Sequence, residues 1–299
     1  MKIHTIYVMT NPFRKHMKFS RALFFSCIIV MLANCNLINP SEPVPTYIQI
    51  DSFQFKTSNP VLTGTARQKI NSAFVYFDNQ LIGAYELPAR IPIISTKTGL
   101  LKVAPGVILN GLNGLQLAYP FFKTDTITVA YQPGTIKKIT PSSSYYSATL
   151  FKWQEDFEGG NTFTSVTGDT TLNRTLNPSE VFEGGASGKL YFKAPQQTAQ
   201  VISTATFTLP VTASYLELHY KNTIDFQVGI QVSYDQGGVY YEYISGFKPK
   251  SEWNKVYIDL QKFASNNRGL NYRIMIRADL PSGMSSGYVL FDNFKVVSY

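Results

Sequence analysis

The chain is predicted to be all-β, built as two β-sandwich domains behind an export leader. Three observations predict this. Beyond residue 46 no stretch keeps apolar residues at i, i+3, i+4 and i+7 over a dozen positions, whereas apolar–polar alternation recurs throughout. Aromatic and β-branched residues, including many of the 21 Phe and 19 Tyr, crowd the alternating runs. Gly, Pro, Asn and Asp collect between the runs, where tight turns need them. With 44% hydrophobic and 15% charged residues among 299, the chain has apolar surface enough for packed cores, which excludes global disorder.

The first element is an address. From Met17, taken as the true start, Lys18 and Arg21 precede an apolar run over 22–32, followed by Ala33-Asn34 and Cys35. That is the order of a signal peptide (1–34), and the run is too short to cross a bilayer comfortably. Leu32-Ala33-Asn34-Cys35 resembles the lipobox of bacterial lipoproteins, with Asn34 in place of the usual Gly, Ala or Ser, as in the looser Bacteroidetes-type exported lipoproteins. The resemblance implies acylation of Cys35 and anchoring to the outer membrane, because several acyl chains on one Cys hold where a single chain is marginal. Residues 35–46, punctuated by Pro40, Pro43 and Pro45, form a tether. No acidic cluster follows Cys35, so either membrane face of the envelope suits the anchor.

The N-terminal sandwich is expected over 47–135, with strands at 47–55, 71–87, about 100–109 and 125–132. Asp78-Asn79-Gln80 interrupts an aromatic run as a hairpin turn does, and Pro105-Gly106 and Asn110-Gly111 are further turn signals. FVYFDNQLIGAYELP resembles small Ig-like or regulatory-like sandwich modules, which implies a spacer or interaction domain. Two Pro, a Gly and a Ser run over 133–150 mark the boundary, with 136–150 as linker.

The C-terminal sandwich spans 151–299. Strands are expected at 190–192, 215–220, 226–244, 255–260, 272–278 and in the closing YVLFDNFKVVSY, with a hairpin turn at Asp235-Gln236-Gly237-Gly238. The opening WQEDFEGG, the FEGGASGKLYF turn and strand, and the terminal DN strand resemble galactose-binding-like and carbohydrate-binding-module jelly rolls. The resemblance implies glycan recognition and a structural Ca²⁺ held by Glu158 and Asp292, with Asp156 the weaker candidate. Oxygen-only ligands suit that hard cation.

Tyr234, Tyr240, Tyr241 and Tyr243 flank one hairpin, and exposed rings of this kind stack on the apolar faces of sugars. Alternation sets Val239, Tyr241 and Tyr243 on one face and Tyr240, Glu242 and Ile244 on the other, so part of the cluster is core. In YLELHY and YRIMIRA the apolar residues point inward, leaving Glu217, His219, Arg273 and Arg277 on an outward polar face, either a binding surface or a solvated one.

Several function classes fall away. Of the net charge of +8, five basic residues and no acid lie in 1–34, leaving 22 basic against 19 acidic residues, too even a balance for nucleic acid. Cys27 and Cys35 are the only cysteines, so the body holds neither disulfide nor thiolate metal site. His219 is the one histidine after the leader. Gly184 to Leu190 fails as a P-loop, with Glu183 at the first Gly position and Leu190 where Ser or Thr must hold Mg²⁺, and no G-x-S-x-G elbow is present. Asp125-Thr126-Ile127 and Asp169-Thr170-Thr171 fit the short O-glycosylation pattern of Bacteroidetes-type exported proteins. The expectation is a non-enzymatic, lipid-anchored cell-envelope protein that recognises a glycan or an envelope protein, with no cofactor beyond the calcium. The alternatives are a structural subunit of a secretion, motility or adhesion assembly and, third, a glycoside hydrolase or lyase using carboxylates such as Glu155, Asp156, Glu158 or Glu242.

Overall fold

The computed structural model describes residues 42–57 and 59–299. The leader, Met17 and the lipidation site Cys35 lie outside the described residues. Among those described, no helix is long and apolar enough to cross a membrane.

The proximal module comprises β1 (Thr46–Ile50), β2 (Gln54–Phe55), the one-turn α1 (Pro60–Thr63), β3 (Ser72–Phe77), β4 (Gln80–Glu86), β5 (Ala89–Ile93), β6 (Gly99–Ile108), β7 (Gln116–Ala118), β8 (Asp125–Val129), β9 (Ile136–Ile139) and β10 (Ser142–Ser143). Its sheets run β5-β1-β9 and β4-β3-β6-β7, with β8 also on β6, and β2 pairs with β10. Ile48, Ile50, Val75, Ile91, Leu101 and Val103 are fully buried as one core. Asp78 and Asn79 make the two-residue turn between β3 and β4, both at positive φ, the backbone state these short polar side chains tolerate best after Gly.

Two expectations are corrected. Pro105-Gly106 is no turn but lies inside β6: Pro105 falls between the stretch paired with β8 and the stretch paired with β7, so the N–H it lacks is not needed on that edge. Residues 136–150 are no free linker either. β9 adds to β1 in parallel, Ile139 packs on the proximal core and Tyr145 is buried, so this Pro- and Ser-rich text is stitched into the fold.

The distal module comprises β11 (Leu150–Glu155), β12 (Phe163–Gly168), β13 (Leu172–Thr175), β14 (Ser187–Lys193), β15 (Thr198–Ser203), β16 (Ser214–Asn222), β17 (Phe226–Ser233), β18 (Val239–Phe247), β19 (Lys250–Asp259), α2 (Gln261–Asn266), β20 (Asn271–Asp279) and β21 (Ser286–Ser298). A six-stranded sheet, β13-β14-β21-β16-β19 with β11 also on β21, faces a five-stranded sheet, β12-β15-β20-β17-β18. Between them Leu216, Leu218, Val228, Ile230, Ile274, Ile276, Phe291 and Phe294 form a continuous core. The fold is all-β, as the alternation predicts.

The outer side of the six-stranded sheet is roofed by the proximal module. Its Tyr215, Tyr257 and Val297 join Val107, Leu109, Tyr119, Phe121, Phe122 and Tyr145 in a further apolar cluster. The Tyr119 ring lies 4.9 Å from that of Tyr257 and 5.3 Å from that of Tyr215. Tilted and edge-on aromatic pairs like these add about 0.5–1.5 kcal/mol each beyond their burial. One sheet of the distal sandwich is thereby spent on holding the modules together, and the other keeps a free face.

Candidate functional site

The free face belongs to β12-β15-β20-β17-β18, and antiparallel register sorts its outward residues into rows. One row reads Gln200, Arg277, Gln227. The next reads Ile202, Met275, Gly229, Tyr243, and the third Arg273, Gln231, Tyr241. An apolar row is therefore flanked by two rows of guanidinium and amide groups. Met275, although on the outer face, is only 1% exposed and Ile202 only 5%. Gly229 has a specific role. A Cβ there would lie 2.9 Å from both the Tyr243 ring and the Glu242 carbonyl, so only Gly lets the ring lie across β17.

The four tyrosines of the hairpin part company. Tyr241, 50% exposed, and Tyr243 share the outer face with ring centroids 6.1 Å apart, nearly perpendicular. Tyr240 points the other way and stacks on Phe263 of α2, and Tyr234 packs on the distal core beside the turn containing Gly237 and Gly238. These two are removed from the candidate platform. The Tyr243 hydroxyl is enclosed without a hydrogen-bond partner among the described residues. Burial raises its pKa above the phenol's usual value, so it stays protonated and able to donate. Leaving such a group unpaired costs about 1–3 kcal/mol. Arg277 Nε is held 3.0 Å from Asp279 Oδ2, which fixes the guanidinium in place.

Glu217 and His219 require the largest correction. They do leave the distal core, as alternation predicts, but the surface they reach is the proximal module rather than water. Glu217 is completely buried: it accepts from Tyr119 Oη at 2.8 Å and Tyr145 Oη at 2.7 Å, and Lys255 Nζ lies 2.9 Å away. Burial pushes its pKa up, but Lys255, Lys295 and the Tyr145 hydrogen bond outweigh it and hold the carboxyl below its ordinary range. Lys295 donates to the Thr63 carbonyl, and burial draws its pKa down to about 7 despite the pull of Glu217. His219 Nε2–H donates to the Arg67 carbonyl at 3.0 Å while its ring stacks on Phe182 at 4.2 Å. Burial, then Lys255, keeps it neutral, and Nδ1 has no partner among the described residues. Lys255, Lys295, Tyr119 and Tyr145 went unnoticed in the sequence, since nothing local marks a lysine on a strand as an interface residue.

Glu158 and Asp292 line one cavity of about 520 Å³ at the module junction, together with Asp156, Glu183 and Arg67. Glu158 is occupied by the Gly185 and Ala186 backbone amides. Asp292 accepts from Ser187 Oγ at 2.5 Å and from the Asn293 amide at 2.7 Å. Burial raises Asp292 to about 7, against those hydrogen bonds and assisted by the charges of Glu183 and Glu158. Among the described residues no three His, Cys, Asp or Glu side chains converge as a metal-ligand set. These carboxylates thus accept from the protein's own N–H and O–H groups. Glu155 is likewise taken up by the Phe157 and Thr162 amides.

No protein-family model matches the chain, and no curated protein matches it. Among solved structures, the chain is similar at TM-score 0.36 to the CBM22-1 xylan-binding domain from Paenibacillus barcinonensis Xyn10C, with 14% identity over 50% of this chain and 96% of that one. A carbohydrate-binding module of the β-sandwich superfamily gives TM-score 0.38 and 13% identity, covering 77% of this chain and 86% of that one. TmCBM61, solved with β-1,4-galactotriose, gives 0.32 and 13% over 47% of this chain and 92% of that one.

Proposed function

We propose that the distal sandwich is a non-catalytic glycan-binding module whose platform is the outer face of the five-stranded sheet. The observation that carries this reading is the order of the outer face: the Tyr241 and Tyr243 rings at its β18 edge, with Arg277, Gln200 and Gln227 in one flanking row and Arg273 with Gln231 in the other. A pyranose has the matching amphipathy, an apolar face of C–H groups rimmed by equatorial hydroxyls. Rings take the C–H face, and guanidinium and amide groups take the hydroxyls. Under this reading the leader and Cys35 hold the module at a cell envelope by acyl chains, and mass spectrometry of the mature N-terminus tests that anchor: an unmodified Cys35 would refute it.

The test of the platform is native gel retardation in a panel of neutral polysaccharides. Tyr241→Ala and Tyr243→Ala are expected each to weaken binding by roughly 5–30-fold, the equivalent of about 1–2 kcal/mol of lost stacking. Tyr234→Ala, a change off the platform, is expected to leave retardation in place. Retardation indifferent to Tyr241 and Tyr243 would sink the assignment.

A further inference from the structure

A cavity of about 360 Å³ opens where the two modules meet, on the side of the connection from β18 to β19, which passes from one sheet to the other. Its charged lining is wholly basic: Lys69 from the proximal module and Lys248, Lys250 and Lys255 from the distal one. Lys255 is already matched by Glu217, and Lys248 by Asp225 at 2.5 Å. Lys69 and Lys250 form no ion pair among the described residues, and both line the same cavity. Partial desolvation of the Lys69 side chain, followed by the charge of Lys250, lowers its pKa. Two lysines crowded without a counter-charge cost stability, and an anion placed between them reverses that cost.

The cavity is also built, not incidental. Asn254 is fixed at its wall, donating to Tyr220 Oη at 2.9 Å and accepting from Lys69 Nζ. The proximal turn at Asn110-Gly111 is anchored on β19: the Asn110 amide donates to the Tyr257 carbonyl at 2.8 Å, and Asn110 Oδ1 accepts from the Asp259 amide at 3.0 Å. Gly111, at φ +71°, sits where a Cβ would press the Phe247 ring at 3.1 Å. One wall is therefore held by side-chain hydrogen bonds through Asn254 and the other by the Asn110 contacts to β19, so both modules contribute ordered groups to the cavity.

Gly246, Phe247 and Lys248 line this cavity and also a groove of about 320 Å³ that contains Gln227 and Arg277 of the glycan platform. The two are neighbours across a single rim. We propose that the inter-module cavity is a subsite for an anionic substituent, a carboxylate or sulfate group carried on the glycan, held by Lys69 and Lys250. The proposal rests on the platform reading for the identity of the polymer, while the anion site stands on its own residues.

The experiment compares retardation of the protein by polygalacturonate, dextran sulfate and neutral dextran, at low and high salt. Tighter binding of one or both acidic polymers than of dextran is expected, with the polymer that binds identifying carboxylate or sulfate. The K69Q/K250Q variant is expected to lose roughly tenfold of that affinity. The control Lys137→Gln, an exposed change on β9, is expected to lose none. An unchanged acidic preference in K69Q/K250Q, or no preference in the parent protein, overturns the proposal. Lysine-dependent binding that survives Tyr241→Ala and Tyr243→Ala supports the anion site and refutes the platform. Tyrosine-dependent binding indifferent to the lysines does the reverse. Both lysines are exposed, so equal melting temperatures of variant and parent establish that the fold is intact.

Discussion

The distal sandwich has two outer faces made from similar text, YLELHY on β16 and YRIMIRA on β20, and they meet opposite environments. On the six-stranded sheet Glu217, His219, Lys255 and Lys295 are withdrawn from water, and their contacts run to one another, to tyrosine hydroxyls and to main-chain carbonyls of the proximal module, with His219 Nδ1 left unpartnered among the described residues. On the five-stranded sheet Arg277 and Tyr241 stay in solvent, and Arg273 is half-buried. The difference teaches that alternation reports which residues leave a core and is silent on what receives them. It also separates the two kinds of charge: on the roofed face a charge is a structural commitment, and on the free face it is available to a ligand.

The sharpest way to break the comparison is to remove Glu217. Glu217→Ala leaves Lys255 buried without its partner and strips the acceptor from two buried tyrosine hydroxyls. Denaturant unfolding should show a loss of about 3–5 kcal/mol. A loss within about 0.5 kcal/mol, the scale of a surface change, would mean that the roofed face is solvated after all.

Asp292 supplies the next effect. Its folded pKa of about 7 lies above the carboxyl's ordinary 3.8, so the folded state keeps a proton that the unfolded chain releases. Its contribution is complete below pH 3.8 and is lost as pH rises to 7. Asp292→Asn, which imitates the protonated acid, is therefore expected to gain on the parent by on the order of 2 kcal/mol between pH 5 and pH 8. Equal pH profiles for the two proteins would refute the raised pKa. Calcium added at pH 8 offers an independent reading: a rise in melting temperature that Asp292→Asn abolishes would show that the carboxylates accept a cation.

His219 has the opposite slope. Kept neutral when folded, it favours the unfolded state once that state takes up a proton, so its contribution is present above pH 6.5 and is lost below. Parent stability is expected to fall relative to His219→Gln by up to about 1.4 kcal/mol per pH unit under pH 6.5. Parallel curves would place His219 in contact with water. The smallest effect belongs to the free face, where Tyr241→Ala should shift stability by no more than about 0.5 kcal/mol while weakening glycan retention.

Much of this architecture is legible in the sequence where the signal is local. The Asp78-Asn79 turn is written in two residues that accept positive φ, and the inward sets of β16 and β20 follow from a period of two. Even the pairing of Tyr241 with Tyr243 on one face needs only counting. The features that escape local reading depend on which segments become neighbours. Pro105 reads as a turn because its tolerance comes from β7 and β8 dividing one edge of β6 between them. Residues 136–150 read as a linker because Pro and Ser do not reveal that β1 has a vacant edge. The basic cavity draws on Lys69 and Lys250, almost two hundred positions apart, and only the docking of the modules brings them together.

The place of β21 carries a consequence for how the protein comes to exist. It is the last strand of the distal sandwich in chain order, yet it runs through the middle of the six-stranded sheet, bonded to β14 and β11 along one edge and to β16 along the other. Glu155 pairs with Phe294, so the sandwich's opening strand waits for its closing one. Until that final segment joins, β11 has no partner and β13-β14 and β16-β19 stand as two separate pairs. Contacts so distant in sequence make for slow folding. Synthesis can therefore deliver the chain piece by piece, but the distal module assembles only when its last strand arrives.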